Sequence, residues 1–264
     1  FGGLPQSVGA TTIGKVCGSG LRSVMFAASQ VKANDANIVI AGGMESMTNA
    51  PYCLPKARSG YRMGNGEVVD TMVNDGLFDV YNKYHMGMAA ELCASEMKIS
   101  REEQDEFAAM SYKKALASVE AGVFNKEIVD VSVPQRRKDP LIVNIDEEPG
   151  RGRIDKIPAL RPAFKKDGTV TAANASSIND GASAVIVASE EAAPLFKNQA
   201  QFKILGYATH AQAPEWFTTA PAYAIKKVLA QTGLTVDDID LYEVNEAFSV
   251  VSVAVNRLCG LNPD

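Results

Sequence analysis

The 264 residues are 46% hydrophobic and carry a formal net charge of −5. That length can bury a substantial core in more than one lobe, the acidic balance argues against general nucleic-acid binding, and no apolar run reaches the length of a membrane span. Four cysteines, Cys17, Cys53, Cys93 and Cys259, lie far apart, with no Cys-x-x-Cys pair and no histidine at ligand spacing. Neither a zinc site nor a disulfide framework is expected, and a reducing compartment fits.

In chain order, Ala10 to Val16 reads as a strand. From Leu21 onward apolar residues recur at helical spacing through Val24, Met25, Ala28 and Val31. A second strand, Asn37 to Ala41, closes on Gly42-Gly43, and the alternation predicts a parallel sheet with crossover helices. Residues 48–83, rich in Gly, Pro, Asn and Met, read as an irregular excursion. A helix is expected from near Ala89. Ser100 and Glu103 form a capping box for the next one, which Gly122 stops after Ala121. A charged, irregular segment runs from about Pro134 to Gly168. Strands follow at Ser183–Ala188 and Phe202–Tyr207, then a helix from near Pro221 to Gly233, a strand at Leu241–Val244 and a helix from near Asn245. The ordered ends read as two similar α/β halves around a long insertion. The chain opens on Phe1-Gly2-Gly3-Leu4 with no initiator Met or signal-peptide pattern and stops just after a helix-like segment, which reads as a fragment of a longer chain.

Two turns carry the chemistry. Cys17 sits in Val16-Cys17-Gly18-Ser19-Gly20, where a strand gives way to a helix. A helix N-terminus offers unpaired N–H groups and partial positive charge that favour a thiolate, and glycines close by let a bulky acyl group approach. That suits a nucleophile; a buried structural thiol is the alternative. Asn245-Glu246-Ala247-Phe248 occupies a second strand-to-helix turn. Ligands of open α/β sheets gather at the carboxyl ends of strands, where Asn245 can hold a water or an oxyanion or merely cap a helix. The only histidines are His85 and His210; no Gly-x-Ser-x-Gly elbow supports a serine triad, and His210 reads as a loop residue. The small residues Thr171 to Ser176 let a ligand lie against the backbone or enter a tightly packed helix. Basic residues from Arg136 to Lys166, Arg151 and Lys156 among them, offer a landing surface for phosphates or a solvated face.

Val16-Cys17-Gly18-Ser19-Gly20, Gly42-Gly43-Met44-Glu45-Ser46-Met47, His85-Met86-Gly87, Leu160-Arg161-Pro162-Ala163-Phe164, Gly168-Thr169-Val170-Thr171-Ala172, Asn174-Ala175-Ser176, Asn179-Asp180-Gly181-Ala182 and Asn245-Glu246-Ala247-Phe248 occur in this order. Together they resemble the thiolase family over essentially the whole chain, and within it the short-chain acetoacetyl-CoA branch. His85 before Met86-Gly87 points to that branch. Tyr81 and Phe217 resemble the mitochondrial, potassium-activated kind.

The resemblance implies an α/β fold of two βαβαβαββ halves stacked in five layers (α-β-α-β-α), with a large inserted loop domain. The corresponding divisions are residues 1–47 and 179–264 for the partial core halves and 48–178 for the insertion. It implies condensation of two acetyl-CoA to acetoacetyl-CoA and coenzyme A, and the reverse thiolysis, with Cys17 as the acetylated nucleophile and Asn245 holding an oxyanion-hole water. Leu77, Tyr81, His85, Met86, Phe164, Ala172, Ser176, Phe217, Ala247 and Phe248 match the substrate channel, and Arg151 and Lys156 the nucleotide end of coenzyme A. Tyr81, Ala172, Ala173 and Ala175 match potassium ligands, and Leu54 to Met63 a tetramerisation hairpin. The resemblance further implies no tightly bound cofactor, a homotetramer built as a dimer of dimers, no nucleic-acid or membrane partner, and a bacterial cytoplasmic or mitochondrial-matrix location. The Gly-His-Pro histidine and Cys-x-Gly cysteine that the family uses for proton transfer do not occur in these 264 residues, and Cys259 lacks that context. A broader 3-ketoacyl-CoA thiolase and a non-catalytic coenzyme A-binding relative are the alternatives.

Overall fold

The computed structural model describes residues 2–263. In chain order the regular elements are α1 (Ser19–Lys32), β1 (Ile38–Ser46), β2 (Tyr52–Cys53), β3 (Val69–Asp70), β4 (Phe78–Asp79), β5 (Tyr84–His85), α2 (Met86–Glu96), α3 (Arg101–Glu120), β6 (Val131–Gln135), β7 (Lys138–Val143), α4 (Glu148–Arg151), β8 (Asp180–Ala188), α5 (Ala220–Thr232) and α6 (Ser249–Cys259). They fall into two compact units: Phe1–Leu77 with Ile178–Tyr207, and Phe78–Ser177 with Ala208–Asp264.

The first unit is built on a long two-stranded ribbon carrying one α-helix and also holds the short β2–β3 ladder. β1 and β8 pair antiparallel over nine positions, from Ile38 opposite Ala188 to Ser46 opposite Asp180. Successive side chains alternate faces, so Ala41 and Val187 bury with Ala27 and Ala28 of α1 while Ile38, Ile40 and Ile186 stay exposed. This corrects the expected parallel sheet. Alternating hydrophobicity specifies which face is buried and says nothing of strand direction, and every ladder among the described residues is antiparallel. Gly42 and Gly43, expected to end β1, lie inside it. A Cβ on Gly42 would fall 2.2 Å from the Ser183 carbonyl oxygen, and one on Gly43 would fall 3.1 Å from Gly20 Cα. The glycines are where backbones of β1, β8 and α1 meet, not a stop signal.

Ala10–Val16, Phe202–Tyr207 and Leu241–Val244 carry no ladder among the described residues. A favourable side-chain pattern makes a segment fit to be a strand, but the backbone groups need an edge to pair with.

The second unit is helical. Its core joins Ala90, Cys93 and Ala94 of α2, Ala222 of α5, and Val250, Val251, Ala254 and Val255 of α6, together with Ile99, Val170 and Phe248. The capping box at Ser100 and Glu103 forms as expected, and Gly122, Gly233 and Gly260 end their helices with positive φ. α2 starts three residues earlier than expected because the His85 side chain accepts a hydrogen bond from the Gly87 amide and caps it. α6 starts later, at Ser249, because Ala175 and Phe248 pair as an antiparallel bridge. The segment expected to be irregular holds the β6–β7 hairpin. Pro134 and Pro140 remove ladder donors, and the Arg136-Arg137 tip lacks an Asn-Gly-type signature, with Arg137 at φ 61°.

Candidate active site

Cys17 lies in a single 3-10 turn, Val16–Gly18, that leads directly into α1, and its side chain is exposed. The Ser19 hydroxyl holds the turn: it accepts from the Lys15 amide and donates to the Val16 carbonyl, both at 2.8 Å. Val16 takes φ 47°, a conformation rare for a β-branched residue. The helix behind the turn is seated on β1. Gly20 and Gly43 meet backbone to backbone, and the Ser23 hydroxyl lies 2.6 Å from the Gly20 carbonyl and 2.9 Å from that of Gly42. Leu77, at the end of the same unit, is half-buried.

In the second unit the structure gathers much of the expected channel. His85 stacks on Phe164 with ring centroids 4.7 Å apart. Phe164 meets Phe248 edge-on at 6.1 Å, and Phe217 lies 6.4 Å from Phe248. Met86, Phe164, Phe217, Ala175 and Ala247 pack on the same core. Gly87 makes this possible, since a Cβ there would fall 2.3 Å from the Phe164 ring. Because His85 Nδ1 accepts from the Gly87 amide at 3.1 Å, the ring proton belongs on Nε2. Burial pushes the imidazole pKa below its ordinary value, so the neutral form is favoured.

Asn245 is exposed in the turn before α6. That turn is tied to the Asn174–Ser176 strip by backbone bonds from Ser176 to Ala247 (3.0 Å) and from Ser249 to Asn174 (2.8 Å). Ala172 and Ala173 line a separate hollow of about 200 Å³ with Tyr112 of α3 and Lys156. Arg151, on α4, stands outside its lining and pairs with Glu147, the residue before that helix. Tyr81 is 79% exposed at the tip of the β4–β5 hairpin and does not line that hollow. Among the described residues no three His, Cys, Asp or Glu side chains converge as a metal cluster. The donors that Ala172, Ala173 and Ala175 offer are backbone oxygens, suited to a weakly held monovalent cation and not to a transition metal. His210 stacks on Tyr223 at 4.9 Å, as a loop residue.

The side chains that hold these loops carry no motif. Glu91, 6% exposed on α2, accepts from the Thr169 and Val170 amides and the Thr169 hydroxyl at 2.8–3.1 Å. Gly168 leaves room for it, since a Cβ there would fall 2.3 Å from the carboxylate. Gln104 Nε2 donates to Thr169 Oγ1 at 3.0 Å, and Asp105 accepts from Asn174 at 2.9 Å. The signal that sequence reasoning missed is spacing: Arg101, Gln104, Asp105, Ser111 and Tyr112 recur at helical intervals along one face of α3.

The chain is similar to known proteins over nearly its whole length. The chain matches the family descriptions "Thiolase, N-terminal domain" over residues 2–191 and "Thiolase, C-terminal domain" over residues 198–264. It is 48% identical over 263 residues to the cytosolic acetyl-CoA acetyltransferase of Gibberella zeae, covering 99% of this chain and 66% of that protein. It is 49% identical over 265 residues to acetyl-CoA acetyltransferase 1 of Arabidopsis thaliana, covering 99% and 64%. A thiolase of Ascaris suum solved in complex with coenzyme A superposes with a TM-score of 0.91 at 41% identity, covering 98% of this chain and 66% of that one. The acetyl-CoA acetyltransferase of Syntrophomonas wolfei superposes at 0.93 with 38% identity, covering 99% and 67%. The chain thus spans about two thirds of the length of these relatives, and the expected α/β thiolase fold class is borne out. On both family matches and on identity near one half across almost its full extent, the chain belongs to the thiolase family.

Proposed function

We propose that the protein is an acetyl-CoA C-acetyltransferase working through an acetyl-cysteine. The observation that carries this reading is the mount of Cys17, an exposed thiol at the head of a helix whose first turn is fixed by Ser19 and by glycine contacts. Relatives near 48% identity bearing that activity in their names support it. The Cys17 sulfur attacks the thioester carbonyl of acetyl-CoA, and coenzyme A leaves with a proton. A general base takes an α-proton from a second acetyl-CoA, the resulting enolate carbon attacks the acetyl carbonyl, and Cys17 departs from acetoacetyl-CoA as a thiolate that takes the proton up. Asn245 holds the water that donates a hydrogen bond to the enolising thioester oxygen as negative charge develops there. Neutral His85, Met86, Phe164, Phe217, Ala247 and Phe248 form the acyl and pantetheine wall; Leu77, Tyr81, Ala172 and Ser176 are proposed as further substrate contacts. Arg151 and Lys156 face the nucleotide phosphates.

The same reading assigns residues 1–47 and 179–264 to the two core halves and 48–178 to the inserted domain. A potassium ion on the carbonyls of Ala172, Ala173 and Ala175, with Tyr81, would steady the channel wall; a rate that rises with potassium and not with sodium tests it. Leu54, Tyr61 and Met63 are exposed on the expected tetramerisation segment, and light scattering of the full protein should report four subunits. No helix among the described residues is long and apolar enough to cross a membrane; a cytoplasmic or mitochondrial-matrix location is proposed.

The deciding experiment is peptide mapping by mass spectrometry after mixing the full protein with acetyl-CoA. An acetyl group on Cys17 is expected. Turnover without one, or an adduct on another cysteine, would overturn the assignment. Faster thiolysis of acetoacetyl-CoA than of longer 3-ketoacyl thioesters is expected for the short-chain branch.

A further inference from the structure

The inner face of α3 is polar where an apolar one would be simpler. Gln104 and Asp105 are 0% and 7% exposed, and burying such groups costs free energy unless they are fully bonded. Well-packed apolar residues would hold a helix in place equally well; what hydrogen bonds add is direction. Gln104 and Asp105 both reach the loop that grips the Asn245 turn, at Thr169 and Asn174.

Asn174 is at the centre. It is 2% exposed, and both ends of its carboxamide are bonded. Oδ1 accepts from the Thr171 amide at 2.8 Å, and Nδ2 donates to Asp105 Oδ1 at 2.9 Å and to the Thr169 carbonyl at 3.1 Å. Asp105 Oδ2 is held by Arg101 at 2.7 Å, and Arg101 also donates to the carbonyls of Ile157 and Leu160. While its side chain is anchored to α3, the Asn174 carbonyl accepts from the Ser249 amide at 2.8 Å, and two residues on, the Ser176 amide donates to Ala247. α3 reaches the same turn again, for Ser111 donates to Glu246 at 2.7 Å, and Glu246 directly follows Asn245.

We propose that Asn174, oriented by Asp105, is a positioning residue that fixes the backbone turn carrying Asn245. This rests on the proposed acetyltransferase reading, in which Asn245 holds the oxyanion-hole water. The chain of contacts runs α3, Asp105, Asn174 side chain, Asn174 backbone, Ala247–Ser249, with Asn245 two residues beyond. A displacement of an ångström at the oxyanion site costs roughly a hundredfold in rate, so a rigid strap here has catalytic value that its contribution to stability does not measure.

The test is Asn174→Asp in the full protein. The change keeps the shape and the Thr171 bond but sets a second carboxylate oxygen against Asp105. Two carboxylates that close share a proton, so the donor returns only when the pair takes one up. At pH 8 the condensation kcat should fall roughly ten- to a hundredfold with KM changed less than about threefold, and it should recover as pH is lowered. Acetylation of Cys17 should remain close to wild type. Exchanging the partners, Asn174→Asp with Asp105→Asn, restores one donor and one acceptor and should regain most of kcat at pH 8. A kcat–pH profile that overlays wild type, a loss confined to KM, or Cys17 acetylation that falls in step with kcat would overturn the positioning role. If the single variant does not fold, the exchanged pair decides: regained kcat supports the role, and a folded but inactive pair overturns it. Wild-type protein that turns over without acetyl-Cys17 would instead overturn the acetyltransferase reading.

Discussion

The two compact units solve one problem in different ways. In the proposed function each presents a reactive turn that leads into a helix. The first unit mounts Cys17 by bringing backbones together, with Gly20 on Gly43 and Gly42 on Ser183, over a small buried cluster of Ala27, Ala28, Ala41 and Val187. The second mounts the Asn245 turn with side chains: Glu91, Gln104, Asp105 and Asn174 are buried and bonded to the 169–176 loop. Backbone contact tolerates no added atoms, whereas a polar network tolerates volume but not a changed donor or acceptor. The two mounts should therefore break under different substitutions.

The cysteines make the largest contrast. Cys17→Ala should lower acetyl transfer on the order of 10⁴-fold or more, as loss of a covalent nucleophile does, while changing stability by no more than about 0.5 kcal/mol because the thiol is exposed. Cys93 in the second unit is fully buried, and burial pushes its thiol pKa up, away from nucleophilic use. Cys93→Ala should cost about 1 kcal/mol by leaving a small cavity and leave Cys17 acetylation unchanged. Urea unfolding beside the acetylation assay checks both. A Cys93 variant that loses acetylation while remaining folded would break the division of labour.

The next contrast separates the mounts themselves. Gly42→Ala puts a methyl group into the Ser183 carbonyl and should cost about 3 kcal/mol. Gly181, paired opposite Glu45 in the same ribbon, has open space where a Cβ would stand, with nothing within 4 Å, and Gly181→Ala should be close to neutral. In the second unit, Glu91→Gln keeps the shape but turns one acceptor into a donor facing the Thr169 and Val170 amides. It should cost about 2 kcal/mol. Thermal midpoints rank the three variants, and an indifferent Gly42→Ala would show that the ribbon shifts to admit the methyl group.

These two mounts differ just as much in how legible they are. Cys17-Gly18-Ser19-Gly20 and Gly42-Gly43 stand out in the chain because a glycine needed for contact is itself the signal, although Gly42-Gly43 looks like a strand end and in fact marks a crossing. The polar strap does not stand out. Glu91, Gln104 and Asp105 look like the ordinary exposed face of two amphipathic helices, and only the fold turns that face inward. Asn174 draws attention for its small neighbours, which a ligand could lie against, and not for its carboxamide. His85 is legible by resemblance, yet its role as cap of α2 is local and moves that helix start by three residues. The β6–β7 hairpin stays hidden because two prolines and a charged tip mask it. Strand direction is not encoded in the alternating pattern at all.

The smallest contrast is in pH. Both histidines, His85 and His210, belong to the second unit. Burial lowers the His85 pKa below its ordinary value of 6.5, so as pH falls through that value the unfolded chain takes up the proton first. Stability is therefore full above about pH 6.5 and declines as pH falls toward the lower folded-state pKa. Asp79, in the adjacent hairpin, is shifted down from 3.8, chiefly by the Asn82 side-chain amide and then by backbone donors. Its contribution is full above about pH 4 and is lost only as pH falls through the folded value. Asp180 of the first unit, held low mainly by the Thr48 amide at 2.9 Å, behaves likewise. After correction for the slower intrinsic exchange at acid pH, lowering pH from about 7.5 to about 5.5 should thus reduce amide protection in β4–β5 and the first turn of α2, and leave that of the β1–β8 ribbon unchanged. His85→Asn keeps an oxygen to accept from Gly87 and should remove the step. If the step persists in that variant, His85 is not its source; if the ribbon responds equally, the neutral-range sensitivity is not confined to the unit that carries the histidines.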